Sequence, residues 1–216
     1  METKASKLEK TAVLTGDLVD SSKLGPEKTD RAMSLLATAA RDVAGWPEAA
    51  PTRFTRFRGD GWQFIALPPE RALRAALLVI ARLAAHPALP ATRIAIGLGA
   101  ADSLGTDDLG DAHGPAFSSS GRALEDLAKN DRLAIGGTEV TPLHAAILDL
   151  LDERTGRWTP EQAEAMAFAL HPDDPTQADI AERLGISPQA VNYRLRGAGA
   201  AAIKRALHAW EKGRAT

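Results

Sequence analysis

Two short helical patterns separated by a glycine near the C-terminus constrain the fold of this chain most strongly. Residues Thr176 to Asp179 have the form of a capping box, with a hydroxyl at the N-cap and an acid three residues later. The apolar residues that follow recur at helical spacing, and Gly185 stands where such a helix ends. Ser187 and Pro188 then begin a second helix, because serine caps well and proline costs nothing at the first helical position. Gly197 and Gly199 predict that this second helix ends there.

The turn between these helices has the composition of a helix-turn-helix. Ala181 supplies a small residue where the helices cross, Gly185 a permissive turn, and Val191 an apolar anchor. The second helix carries side chains that bond base edges and phosphates and that we expect to face outward. The residues predicted to contact double-stranded DNA are Ser187, Gln189, Asn192, Tyr193, Arg194 and Arg196. Thr176 to Leu195 also resembles the last helices of sigma-factor region 4.

The charge of the chain is uneven. A net charge of -2 over 216 residues does not indicate nucleic-acid binding, so any basic surface must be local. Between Arg183 and Arg214 seven Lys and Arg residues stand against one acid, Glu211, which leaves a local excess of +6. Phosphate binding requires such an excess. The alternative is an ordinary helical hairpin with a solvated basic face.

The strand signal disappears at residue 141. Before it, the order is strand, helix, hairpin, helix, strand, helix and strand, which is typical of an α+β or split βαβ fold. The helix after Pro69 is expected to be amphipathic. We predict a polar tail over residues 1–10, an α+β domain over 11–140 and a small all-α helix-turn-helix domain over 141–216.

Composition excludes several classes of protein. The chain has no cysteine, so disulfides and thiolate metal sites are excluded. The first ten residues lack the apolar core of a signal peptide, and the longest apolar stretch is interrupted by Arg82. We therefore expect a cytoplasmic protein that does not use a membrane.

Two acids lie at the ends of predicted strands in the first domain. Asp17 follows the apolar run TAVLT, and Asp60 lies at the tip of a hairpin rich in aromatic residues. Two carboxylates on adjacent strands can hold Mg²⁺ or Mn²⁺, cations that prefer oxygen ligands and bridge phosphates. Each acid also has a structural explanation, since Asp17 can cap its loop and Asp60 can serve a tight turn.

The segments around these acids resemble class III nucleotidyl cyclase domains. The resemblance rests on residues 15–19 (TGDLV), 56–61 (RFRGDG), 93–99 and 111–122, and spans residues 11–140. It implies a ferredoxin-like (nucleotidyl cyclase-like) sandwich within the α+β class. It also implies the residues that serve a nucleotide site. They are Asp17 and Asp60 as metal ligands, Arg56, Asp111 and Arg122 as nucleotide contacts, and Arg122 with Ser118 as catalytic residues.

The chain departs from that family at several of these positions. Ser118 stands where the family has an asparagine, and a serine hydroxyl has a shorter reach. Arg56 stands where adenylate-type members have a lysine, and an arginine fork is larger and bidentate. After Asp17, Asp20 and Ser21 replace the family's Gly-Phe. These departures favour binding over rapid chemistry, and Arg122 has the alternative of pairing with nearby helix acids.

The combination of domains resembles the small bacterial SatD-like proteins. Because cyclase sites lie between subunits and helix-turn-helix regulators bind as dimers, both halves imply a symmetric homodimer. The first hypothesis is a DNA-binding transcriptional regulator whose N-terminal domain binds a purine nucleotide or cyclic nucleotide as effector. The second is an active adenylyl or guanylyl cyclase that converts a nucleoside triphosphate to cyclic nucleotide and pyrophosphate with two metals. The third is an interaction module without a ligand.

Overall fold

Five strands and eight α-helices are formed by the described residues of the structure, a computed structural model. The described residues are 8–23, 25–50, 52–57, 59–106 and 108–214, so residues 1–7 of the predicted tail and Arg58 of the hairpin motif lie outside them. In chain order the elements are β1 Leu8–Leu18, α1 Pro26–Ala44, β2 Phe54–Phe57, β3 Gly61–Ala66, α2 Ala72–Ala84, β4 Thr92–Ala101, α3 Pro115–Glu125, β5 Leu133–Gly136, α4 Pro142–Thr155, α5 Pro160–Ala169, α6 Gln177–Leu184, α7 Pro188–Ala198 and α8 Ala200–Arg214.

A single mixed sheet forms the first half, in the order β2-β3-β1-β4-β5. Its central strand, β1, is antiparallel to both β3 and β4, whereas β5 is parallel to β4. The α+β class predicted from the sequence is confirmed. β1 begins earlier than the apolar run indicated, because Leu8 pairs with Ala101 beyond an irregularity in the ladder. Residues 8–10 of the predicted tail therefore belong to the sheet.

The two faces of the sheet differ in chemistry. One face is apolar and carries Leu14, Trp62 and Ile96 into a core shared with α1 and α2. The other face packs against α3, where the hydroxyls of Thr15 and Ser120 are 2.7 Å apart. Successive strand residues point to opposite faces, which produces this separation.

The helical half packs directly on the sheet domain through α2. Eleven residues of this helix are buried, because its outer side contacts α5 while its inner side covers the sheet. The helix predicted to be amphipathic is therefore buried on nearly every side, with Arg74 and Arg82 as the polar exceptions in an apolar surface. One continuous core extends from Leu14 through Leu77 to Met166, Ile180 and Leu207. None of the described helices has the length and apolar character needed to cross a membrane.

Candidate nucleic-acid interface and nucleotide site

The first helix of the predicted helix-turn-helix, α6, is closed by a reciprocal cap. The Thr176 hydroxyl accepts from the Asp179 backbone N–H at 3.2 Å, and the Asp179 carboxylate accepts from the Thr176 backbone N–H at 2.8 Å. Hydrogen bonds from the side chain and then the backbone of Thr176 hold the pKa of Asp179 below its ordinary value. The capping box read from the sequence is confirmed.

The turn between α6 and α7 follows the sequence pattern closely. Gly185 is left-handed, with φ of 64°, a conformation that glycine adopts without steric cost. The Ile186 N–H then donates to the Ala181 carbonyl at 3.1 Å, which closes the end of α6. Ser187 begins α7 and accepts from the Ala190 N–H at 3.2 Å. Two helices joined by this tight turn form the predicted helix-turn-helix.

The second helix, α7, has one buried and one exposed stripe. Val191, Leu195 and Ala198 are buried. Gln189, Tyr193 and Arg196 are exposed at positions i, i+4 and i+7, and Tyr193 is 80% exposed. These three residues form a continuous polar stripe, which we call the outer stripe of α7.

Asn192 and Arg194, which the sequence predicted to face outward, are half-buried and bonded to neighbouring helices. The Asn192 side-chain oxygen accepts from Gln177 of α6 at 3.4 Å. The Arg194 guanidinium forms an ion pair with Glu164 of α5 at 2.7 Å, and its side chain is only 22% exposed. Asn192 therefore connects α7 to α6 and Arg194 connects it to α5, and both side chains are half-buried.

The basic surface is narrower than the sequence count indicated. Besides Arg194, Lys204 is paired with Asp174, and Arg183 lies against the Phe168 ring, 5.9 Å from its centroid. Exposed cations in this region are Arg183, Arg196, Arg205 and Lys212. The side chain of Arg214 lies outside the described residues. The exposed cations therefore lie on α6, α7 and α8, and ion pairs bind Arg194 and Lys204 of the seven that the sequence counted.

The last carbonyl groups of α7 are capped by side chains from outside the helix. Arg154 of α4 donates to the carbonyls of Ala198 and Gly197 at 3.0 and 2.7 Å. Trp158 donates to the Ala198 carbonyl at 3.0 Å. Gly199 is left-handed, with φ of 78°, so α7 ends where the glycines predicted. The positive charge of Arg154 at this end also interacts favourably with the helix dipole.

Asp17 lies in the sheet beside an arginine that the sequence did not single out. Asp17 is paired with Gly61 of β3 and with Arg93 of β4. Both carboxylate oxygens of Asp17 accept from the Arg93 guanidinium, one of them at 2.8 Å. The hydrogen bond that Arg93 donates to Asp17, with further attraction from Asp17 and Asp60, raises the pKa of Arg93. Only strand register brings these residues together, so no local sequence signal indicated the pair.

Asp60 lies beside a shallow groove between the hairpin tip and the start of α1. Its carboxylate accepts from the Ser21 hydroxyl. The groove has a volume of about 430 Å³ and is lined by Ser21, Ser22, Pro26, Thr29, Arg56, Gly59 and Asp60. Arg56 is held there by Asp30 at 2.7 Å and by the Gly59 carbonyl at 2.6 Å. We call this feature the hairpin groove.

A divalent cation at Asp17 and Asp60 does not fit this arrangement. Both oxygens of Asp17 bind Arg93, and one oxygen of Asp60 binds Ser21. Among the described residues, no cluster of three or more His, Cys, Asp or Glu side chains is arranged to hold a metal. A cation would have to displace the guanidinium of Arg93, so no step of the function proposed below uses one.

Arg56 and Asp111 lie on opposite faces of the sheet. Arg56 is paired with Trp62, whose ring belongs to the core under α1 and α2. Thr55, its neighbour on β2, accepts instead from the backbone of Leu109 in the loop that carries Asp111. Asp111 is exposed, and the backbone N–H of Thr106 donates to it and lowers its pKa. The pair expected to read a base is not brought together within one chain.

Ser118 and Arg122 share one exposed face of α3, at the spacing of one helical turn. Arg122 lines a cavity of about 670 Å³ between α3, β5 and α4, together with Asp126 and Asp149. This cavity contains neither Asp17 nor Asp60. Within a single chain, the predicted catalytic residues and the predicted metal ligands therefore lie in different places.

Comparison with known families matches the C-terminal helices. Residues 173–196 match the family described as winged helix-turn-helix DNA-binding. The match covers α6, the turn and most of α7. Within the described residues from 142 to 214 all elements are helices, so the strands of a wing are absent from this part of the chain. The helix-turn-helix prediction is confirmed.

The sheet half is similar to solved nucleotidyl cyclases. The guanylyl cyclase domain of a RhoGC fusion protein from the aquatic fungus Blastocladiella emersonii is 19% identical over 56% of this chain and 76% of that chain, with a TM-score of 0.42. A bacterial light-regulated adenylyl cyclase is 20% identical over 62% of this chain and 44% of that chain, with a TM-score of 0.46. The guanylyl cyclase Cya2 is 18% identical over 62% of this chain and 77% of that chain, with a TM-score of 0.41. A search of curated proteins found no match.

Proposed function

We propose that this protein is a DNA-binding transcriptional regulator that reads duplex DNA with α7. The observation that carries the proposal is the outer stripe of Gln189, Tyr193 and Arg196, on a helix whose opposite face is buried. Amide, phenol and guanidinium groups are the types that bond base edges and phosphates. The family match of residues 173–196 supports the same assignment.

The contacts behind α7 support this role. Glu164 holds Arg194 on one side, and Arg154 binds the last carbonyls of the helix at its end. Because α7 is already fixed by these contacts, binding to DNA costs no further conformational entropy for ordering the helix. Arg194 and Asn192 then act as positioning residues for the outer stripe.

Selection of binding sites from a random duplex pool, followed by fluorescence anisotropy, tests the proposal. We expect Gln189→Ala to cost about 1–3 kcal/mol of discrimination at one base pair. Arg31→Gln is the matched control, because Arg31 is exposed on α1, far along the chain from α7. If no selected duplex binds more tightly than a scrambled one, the proposal fails.

We further propose that a purine nucleotide or cyclic nucleotide binds in the hairpin groove as effector. The Ser22 hydroxyl and the guanidinium N–H groups of Arg56 that Asp30 and Gly59 do not occupy supply donors for phosphate oxygens. The sequence resemblance to nucleotidyl cyclases supports the same ligand class. Because Arg93 binds both oxygens of Asp17, the arrangement favours binding without turnover.

Calorimetry with ATP, GTP and their cyclic monophosphates, with and without Mn²⁺, tests the effector. Mass spectrometry of the same mixtures measures any cyclic product. We expect bound and unconverted nucleotide, weakened by Arg56→Ala and unaffected by Arg31→Ala. Cyclic product that Asp60→Ala abolishes would establish the cyclase alternative instead, and no binding would remove the effector while leaving the DNA-binding proposal intact.

A symmetric homodimer acting in the cytoplasm completes the proposal, with the chain placed among the SatD-like proteins. Helix-turn-helix regulators bind two half-sites about 10–10.5 base pairs apart, which requires two reading heads. Sedimentation velocity measures the oligomeric state, and the selected duplexes show whether the site is palindromic. A monomer that binds a single half-site at full affinity would contradict the dimer.

A further inference from the structure

A second cleft lies where the two halves of the molecule meet. It is bounded by the end of α1, by α2, and by α5 and α6, and its volume is about 530 Å³. This volume lies within the range of about 300–1,000 Å³ typical of small-molecule sites. We call it the junction cleft, and it shares no lining residue with the hairpin groove.

One wall of the junction cleft is aromatic and apolar. It is formed by Trp46, Leu78 and Phe168. Trp46 is only 4% exposed, and its ring meets that of His171 edge-on at 6.4 Å. The Phe168 ring has the guanidinium of Arg82 at 5.7 Å and that of Arg183 at 5.9 Å from its centroid. Such a wall suits the apolar body of a small ligand.

The acids that line the junction cleft already have partners. Asp42 binds Arg82 at 2.8 Å. Asp179 is bonded to Thr176 in the cap of α6. Asp173 lies 3.7 Å from the ring nitrogen of His171. Among these described acids, only Asp42 has an arginine partner, whereas the Asp179 carboxylate keeps its charge and attracts Arg183.

Two cations of the junction cleft have no carboxylate of the described residues within ion-pair distance. Arg41 donates to the Thr38 hydroxyl at 2.8 Å, and Arg183 lies against the Phe168 ring. Within the part of the chain that the structure describes, neither guanidinium forms an ion pair. Arg41 belongs to α1 and Arg183 to α6, so the two cations come from different halves of the molecule.

We propose that the junction cleft binds a small organic anion with an aromatic or apolar body. The carboxylate or phosphate of the ligand is bound by Arg41 and Arg183, and its body packs against Trp46 and Phe168. Guanidinium groups bind both anions through charge-assisted hydrogen bonds. Because Arg183 lies on the first helix of the helix-turn-helix, the ligand joins α6 to α1. This site is separate from the effector groove proposed above.

Isothermal titration calorimetry on the full chain tests this site with three probes. Indole-3-acetate and phenyl phosphate are the anions, and indole-3-acetamide is the neutral comparison. We expect an anion to bind the wild-type protein, and the amide to bind at least about tenfold more weakly than indole-3-acetate. The preferred anion distinguishes a carboxylate from a phosphate ligand. We expect Arg41→Gln with Arg183→Gln to weaken anion binding at least about tenfold, and Arg31→Gln on the same α1 helix to leave it unchanged.

Two results would overturn this inference. One is that neither anion binds the wild-type protein, and the other is that the double variant binds both anions as tightly as the wild type does. Circular dichroism checks that the double variant is folded. If it is unfolded, the affinities of the wild-type protein for indole-3-acetate and for indole-3-acetamide are compared instead. DNA selection without any probe is measured separately, so loss of this site and loss of the DNA-binding function are distinguishable.

Discussion

Arg93 determines the charge at the end of the sheet where Asp17 and Asp60 lie. Its guanidinium binds both oxygens of Asp17, and Asp60 adds to the attraction that raises the pKa of Arg93. An arginine stays charged throughout the ordinary pH range, so it neutralises one of the two acids permanently. We therefore expect this residue, more than either acid, to determine whether the sheet accepts a metal.

Removing Arg93 should create the cation site that the wild-type chain lacks. We expect Arg93→Ala to tighten Mn²⁺ binding at least about tenfold relative to wild type, since two carboxylates are then unneutralised. Electron paramagnetic resonance of free Mn²⁺ measures the affinity. Asp17→Asn in the Arg93→Ala background should abolish the gain. Equal Mn²⁺ affinity in wild type and Arg93→Ala would show that Arg93 does not block the site.

Gly97 permits α3 to approach the sheet. A Cβ there would lie 2.1 Å from the Ala116 carbonyl oxygen, which is backbone and cannot move aside cheaply. We expect Gly97→Ala to lower the free energy of unfolding by about 2 kcal/mol, as overpacking does. Gly121→Ala, in α3 with nothing within 4 Å, is the control and should stabilise by about 0.5–1 kcal/mol. Urea denaturation measures both, and equal effects would contradict the packing argument.

At the scale of the element, signals carried by neighbouring residues were predictable and contacts between elements were not. The caps of α6 and α7 depend on Thr176, Asp179 and Ser187, which lie within three residues of the groups that they bind. Arg93 is 76 residues from Asp17, and Arg194 is 30 residues from Glu164. Such pairs depend on strand register and helix packing, which periodicity does not encode.

The two arginines of α7 should behave differently. We expect Arg196→Gln to weaken binding to all duplexes and to reduce the slope of log Kd against log salt by about 1, because an exposed phosphate contact is lost. Arg194→Gln, which removes the ion pair with Glu164, should leave that slope unchanged and lower the free energy of unfolding by less than about 1 kcal/mol. Anisotropy titrations at several salt concentrations measure both slopes. A slope change in Arg194→Gln alone would reverse the roles assigned here.

The cap of α6 should make the stability of the molecule depend on pH. Hydrogen bonds from Thr176 lower the pKa of Asp179 below 3.8, its value in an unfolded chain. An acid whose pKa is lower in the folded than in the unfolded state stabilises the fold at pH values above its unfolded pKa. This contribution is lost as the pH falls through the folded pKa. Urea midpoints between about pH 5 and about pH 2 should therefore fall less steeply for Asp179→Asn than for wild type. If the urea midpoints of the two proteins fall equally steeply with pH, the Asp179 carboxylate does not stabilise the cap.

For the whole molecule, α2 is the element that joins the two halves. The change at residue 141 from mixed to all-helical structure was predictable, because strand patterns end there. The shared core was not, although α2 carried a signal in its run of apolar residues from Ala75 to Ala81. A helix that is buried on nearly every side needs a layer on each side, and here α5 supplies the second layer. The prediction of an amphipathic α2 was correct but did not include this second layer.

Arg74 of α2 fastens the helical half to the sheet domain. Its guanidinium donates to both oxygens of Glu211 on α8 at 2.6 and 2.9 Å and to the Leu170 carbonyl at 3.2 Å, with only 10% of its side chain exposed. Removing one partner of a buried pair leaves a charge without compensation. We therefore expect Arg74→Met to lower the free energy of unfolding by about 3 kcal/mol.

The double variant Arg74→Met with Glu211→Leu separates the cost of an unpaired charge from the value of the pair. Because no buried charge is then left alone, we expect it to recover most of the stability that Arg74→Met loses. Tryptophan fluorescence and far-ultraviolet circular dichroism should give coincident urea transitions in all three proteins, since one core spans both halves. Two separate transitions in the wild-type protein would mean that the halves fold independently, and the junction cleft between them would then be a contact between separate domains.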